Sequence, residues 1–82
     1  MDEKRFPIQG GLTVSWAAAE RAYKHYCKQC GSSQTMEQLA ERGGFGVLEF
    51  VYFYCDIAII GGRRPSENRI AQVLADADVR KA

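Results

Sequence analysis

The stretch VLEFVYFYCDIAII, residues 47–60, limits what this chain can fold into more than any other. Glycines bound it, with GGFG before and Gly61-Gly62 after. Every residue inside it is apolar or aromatic except Glu49 and Asp56. Those two charges separate the alternatives. In a helix, positions seven apart fall two turns along on one face, so Glu49 and Asp56 would share a narrow polar stripe with Tyr52 or Phe53 between them. In a strand they would point to opposite faces, and one carboxylate would enter the core. The β-branched and aromatic content pulls toward a strand. The charge spacing decides for a helix over 47–60. At fewer than the roughly 20 residues a bilayer requires, it is too short to cross one. A helix this apolar is expected to be buried nearly all round, at the centre of a bundle or at a subunit interface.

The chain has 82 residues, which makes residues 1–82 one domain. A chain this short buries only about 60–65% of its unfolded surface, so its stability is marginal without a partner. Eleven basic against ten acidic residues leave a formal charge of +1. That balance exerts no overall pull toward nucleic acid or an anionic membrane, so neither is an expected partner. The opening MDEKRFPIQGG has no signal-peptide pattern, and a cytoplasmic location is the expectation. Three cysteines, an odd count, fit a reducing compartment better than a disulfide framework.

Residues 1–5 are charged and expected to fray. Residues 1–12 read as an extended arm, with Pro7 and Gly10-Gly11 inside it. A small hairpin at residues 6–12 would make the fold α+β. Thr13 or Ser15 can cap a first helix over residues 14–27, ended by Gly31. Trp16, Ala19, Ala22, Tyr23, Tyr26 and Cys27 form its apolar face. Thr35-Met36-Glu37-Gln38 has the capping-box pattern and opens a short helix over 36–42. Gly43 caps that helix, and Phe45 is expected to pin the corner that follows. After 47–60, Ser66 caps a last helix over 67–79. The expected fold is therefore mainly α: a compact four-helix domain with an N-terminal arm around a buried central helix.

Several constellations bear on chemistry. The helix, glycine turn and helix around residues 36–60 resemble a helix-turn-helix. Its second helix, however, would offer Val47, Leu48, Glu49, Phe50 and Val51 to the groove, where polar or basic residues are needed. Cys27 and Cys30 form one CxxC, with His25 upstream and Cys55 far downstream. Structural zinc normally takes two such pairs, and His25 and Cys27 diverge around a helix. A CxxC at a helix C-terminus also lacks the dipole that activates redox thiols at an N-terminus. No nucleophile elbow, HExxH or phosphate-binding loop is present. No enzymatic activity, cofactor or metal is expected. What remains is a surface for protein contact. Tyr23, Tyr26, Tyr52, Tyr54 and Trp16 are many amphipathic aromatics for so small a chain, and tyrosine, tryptophan and arginine dominate interface hot spots. The candidate partner-binding residues are Arg63, Arg64, Arg69, Tyr52, Glu49 and Asp56.

The stretch GSSQTMEQLAERGGFG, residues 31–46, preceded by SWAAAERAYKHY, resembles a pattern in small proteins of phages, prophages and other mobile elements. The likeness stops before Val47 and carries no functional residue. It implies a non-enzymatic binding protein that blocks a host machine, the anti-CRISPR inhibitors of host CRISPR-Cas complexes being one such group. A small helix-turn-helix DNA-binding or regulatory protein is the alternative. The apolar surface of 47–60 exceeds what the other helices can cover. It is expected either to form a two-fold homodimer or to receive a foreign protein.

Overall fold

Phe6, Ile8 and Val14 are buried while Arg5, Pro7 and Thr13 between them are not, which is the two-residue period of a strand. The computed structural model describes residues 4–82, so the first part of the expected frayed segment lies outside the described residues. Strand β1 (Arg5–Ile8) pairs antiparallel with β2 (Leu12–Ser15), placing Phe6 opposite Val14 and Ile8 opposite Leu12 on the inner face. Gly10 and Gly11, both at positive φ, make the turn. Helices α1 (Trp16–Cys30), α2 (Met36–Glu41), α3 (Val47–Tyr54) and α4 (Glu67–Asp76) follow. A two-residue strand β3 (Arg80–Lys81) then returns antiparallel beside β2, giving the order β1-β2-β3.

The expectation of a mainly α four-helix domain is overturned. The four helices are present, but the arm is a hairpin and a three-stranded antiparallel sheet makes the domain mixed α and β. Pro7 is tolerated because β1 is an edge strand, where a missing N–H breaks no ladder bond. Val14, expected in the first helix, is instead a core residue of β2.

Local caps start the helices. The Ser15 hydroxyl accepts from Ala18 N–H at 3.2 Å, and Ser66 does the same for Arg69. Thr35 and Gln38 form the expected capping box. Ala18, Ala19 and Ala22 are the buried residues of α1, and their small side chains leave room for α3 to pack along it. On α3, Phe50, Val51 and Phe53 are buried, worth about 1.5–3 kcal/mol each. Leu48 is 41% exposed and Glu49 is exposed, so this helix is wet on one side rather than buried all round.

Three helices end alike. After α2, Gly44 N–H bonds Leu39 C=O and Gly43 N–H bonds Ala40 C=O. After α3, Ile57 N–H bonds Tyr52 C=O and Asp56 N–H bonds Phe53 C=O. After α4, Val79 N–H bonds Leu74 C=O and Asp78 N–H bonds Ala75 C=O. This is the Schellman pattern, with its left-handed residue supplied by Gly43, Asp56 and Asp78. The expected helix over 47–60 is thereby corrected. It stops at Tyr54 because Asp56 turns left-handed, at φ 56°, and the chain leaves the helix axis.

Phe45 sits at the corner between α2 and α3, 4% exposed, in contact with Phe6, Tyr26 and Phe53. Its carbonyl accepts from Gln9 N–H at 2.9 Å, joining the corner to the hairpin. Gly44, at φ 73°, passes so close to β1 that a β-carbon there would stand 1.8 Å from the Pro7 carbonyl oxygen. Gly44→Ala is expected to destabilise the fold by more than the about 1–2 kcal/mol of left-handed strain alone. A urea titration giving a smaller loss would show that the corner can shift away from the hairpin.

The sheet is tied to α4 through Asp78. Its carboxylate accepts from Arg80 at 2.7 Å and from Arg5 at 3.1 Å, and its carbonyl accepts from Arg5. The hydrogen bond from Arg80 is the main reason its carboxyl lies below the ordinary carboxylate range; partial burial opposes it, and Arg5 adds to it. A lowered folded-state value means stability present above the unfolded value, about 3.9, and lost as pH falls through the folded one. The thermal midpoint should therefore fall on acidification below about pH 4. Asp78→Asn keeps a residue that tolerates left-handed backbone and should flatten that part of the profile. An unchanged acid limb in the variant would remove Asp78 from the account.

Candidate partner-binding surface

The six candidate residues do not form one site. Glu49 stands in the first turn of α3, where its Oε1 accepts from Gly46 N–H at 3.2 Å. Asp56 stands at the other end of α3, exposed, 3.6 Å from Lys28 Nζ. Because the helix ends between them and the backbone turns, the polar stripe expected of these two carboxylates does not exist. Tyr52 is half-buried on α3. Arg69 lies in the first turn of α4 and reaches Gln72 at 3.4 Å. Arg63 and Arg64 are exposed, and among the described residues their side chains make no hydrogen bond or ion pair.

Just before those two arginines the chain forms a loop where a helix was expected as far as residue 60. Residues 57–62 form a loop beside the C-terminal end of α1. The Gln29 side chain clamps it: Nε2 donates to Ile57 C=O at 2.9 Å, and Oε1 accepts from Ile59 N–H at 3.0 Å. The amide thus holds alternate backbone groups, as a neighbouring strand would. Gly62 closes the bend, where a β-carbon would stand 2.0 Å from Ala58 O. On this braced loop Ile59 is 40% exposed and Ile60 is 92% exposed. With Gln29, Ala58 and Cys30 they line an apolar cleft of about 350 Å³. The expectation that residues 47–60 carry uncovered apolar surface therefore applies mainly to the loop, with Leu48 the exposed apolar residue of the helix. Ile60 is its largest exposed element.

The remaining polar groups near α1 serve the fold. His25 Nδ1 lies 2.6 Å from Phe53 C=O and so donates to it, tying α1 to α3. Arg21 stacks 4.3 Å over Tyr54 and donates to its carbonyl. Tyr23 donates to the Gln34 carbonyl, and its hydroxyl pKa is raised, chiefly by the neighbouring Cys27 thiol. Cys27, Cys30 and Cys55 are free thiols. Among the described residues no group of three or more His, Cys, Asp or Glu is placed to hold a metal ion, and no helix is long and apolar enough to cross a membrane. The α2–α3 corner presents Glu49 outward while Phe50 and Val51 are buried, so the end of α3 that a DNA-reading helix would use carries a negative charge.

No family model, curated protein or solved structure matches the chain.

Gln29→Ala should free the loop without touching its apolar side chains. Amide exchange at Ile59 is expected to accelerate while Phe50 in α3 stays protected, with a global loss of about 1 kcal/mol. Unchanged exchange at Ile59 would show that something other than the amide holds the loop.

Proposed function

We propose that this chain is a non-enzymatic protein-binding module that docks through residues 57–64. The observation that carries this reading is Ile60, 92% exposed at the tip of a loop that Gln29 and Gly62 hold in one shape. Burying one such side chain in a partner is worth about 1.5–3 kcal/mol. The bracing also lowers the entropy that binding must remove. Arg63 and Arg64 follow within a few residues, positively charged and without a side-chain partner among the described residues. The complementary partner is a protein with an apolar socket rimmed by carboxylates. A second copy fits less well, because a two-fold contact centred on Ile60 would bring both pairs of arginines together. The likeness of residues 31–46 to mobile-element proteins supports a sharper form, in which the partner belongs to a host defence complex such as CRISPR-Cas.

The test is retention from a nuclease-treated bacterial lysate by the immobilised protein and two variants, Ile60→Ser and Arg63→Glu/Arg64→Glu. One identified protein should be kept by the parent chain and lost at least about tenfold by each variant, as expected for hot-spot residues. Three results would overturn the reading. One is a captured protein indifferent to both variants. Another is a light-scattering mass of twice 9.2 kDa that Ile60→Ser halves. The third is salt-sensitive retention on duplex DNA that Arg63→Ala/Arg64→Ala abolishes.

A further inference from the structure

A second concavity shares no residue with the loop. It lies where the hairpin turn, α1, α2 and α3 meet, and it has a volume of about 250 Å³. Buried Phe45 contributes to its floor. Gln9, Tyr26, Gln34, Arg42 and Glu49 bring hydrogen-bonding groups to it from separate parts of the chain. Among the described residues, the side-chain amides of Gln9 and Gln34, the Tyr26 hydroxyl and the Arg42 guanidinium take part in no hydrogen bond or ion pair. Glu49 gives one oxygen to Gly46 N–H at 3.2 Å, which orients its carboxylate. Arg42 and Glu49 line the same cleft without pairing with each other.

Opposite charges held apart in one cleft select by charge. A phosphate would meet Glu49 with the wrong sign, and a simple amine would meet Arg42. A zwitterion satisfies both, with a carboxylate on the guanidinium fork and an ammonium on the carboxylate. The neutral amides and the hydroxyl then face the rest of the ligand, which favours a polar side chain. The volume lies below the roughly 300–1,000 Å³ of sites for drug-sized molecules, so the ligand is small. We propose that this cleft binds a free α-amino acid with a polar side chain, its carboxylate on Arg42 and its ammonium on Glu49.

The probes are L-glutamine and L-serine, each compared with its N-acetyl and its carboxamide derivative, titrated into the nitrogen-15-labelled protein. At least one free amino acid should shift the backbone amides of Gly44, Phe45 and Gly46 saturably in the millimolar range. Its blocked derivatives should bind at least about tenfold more weakly, each having lost a charge-assisted contact. Arg42→Gln should bind the free amino acid as weakly as the parent chain binds the carboxamide. Glu49→Gln should likewise reduce binding to the level of the N-acetyl form. Glutamine can still cap Gly46, so that variant keeps the fold while removing the charge. No saturable shift in the cleft with either amino acid, or equal binding of free and blocked forms, would overturn the proposal.

Discussion

The ring of Phe45 is the contact on which the three parts of this molecule depend. Its centroid lies 5.5 Å from Phe6 of the hairpin, 5.4 Å from Tyr26 of α1 and 5.6 Å from Phe53 of α3. Each such pair adds about 0.5–1.5 kcal/mol to the area it buries. Removing a phenyl from a site like this costs about 3–5 kcal/mol, a large share of the roughly 5–15 kcal/mol that holds a domain together. The ring can reach all three because the backbone that leads into it is unusual. Gly43 and Gly44 are both at positive φ, and Gly44 slides against the Pro7 carbonyl without a β-carbon in the way. The hydrogen bond from Gln9 N–H to Phe45 C=O then fixes the corner to the hairpin turn. Aromatic packing and glycine geometry are one feature here, because neither is reached without the other.

The ends of the helices shape the surface as much as the core does. Asp56 and Asp78 occupy left-handed positions usually given to glycine, and each redirects the chain. At Asp78 the turn delivers a carboxylate to Arg5 and Arg80 and lets Arg80–Lys81 join the sheet. At Asp56 it ends α3 and projects residues 57–64 from the body. The exposed pair with Lys28, at 3.6 Å, contributes little to this. The backbone bonds to Tyr52 and Phe53 and the Gln29 clamp define the loop.

Two surfaces follow from this construction, and they differ in kind. The loop is apolar and protruding, with cations beside it, and suits another macromolecule. The cleft at the hairpin corner is polar and concave, and it suits a small zwitterion. Among the described residues, both carry side chains that make no hydrogen bond or ion pair, Arg63 and Arg64 beside the one and Gln9 and Arg42 in the other. A chain of 82 residues has few apolar side chains to spare, so Ile60 left 92% in solvent is the stronger indication of function.

What the sequence determined by itself was local. Thr35 with Gln38, and Ser66, each cap a helix through an atom three residues away, and of the two candidates Thr13 and Ser15 it is Ser15 that caps the first helix. Gly31 and Gly43 end two helices because only glycine takes left-handed backbone freely. Such signals lie within one turn and can be read directly from neighbouring residues, as can the role of Phe45 between its glycines. Tertiary structure decided the rest. The sheet joins residues 5–8, 12–15 and 80–81. A four-residue strand containing proline and a two-residue strand of charged residues have no period to detect until they pair. The end of α3 was equally hidden. Hydrophobic residues continue past Asp56, and an aspartate can either stay helical or turn left-handed. The turn was settled by what lay alongside: Gln29, distant in sequence, supplied partners for the backbone of Ile57 and Ile59, and Gly62 allowed the bend. Glu49 and Asp56 were therefore separated, and Ile60 moved from an expected helix face to the tip of a loop.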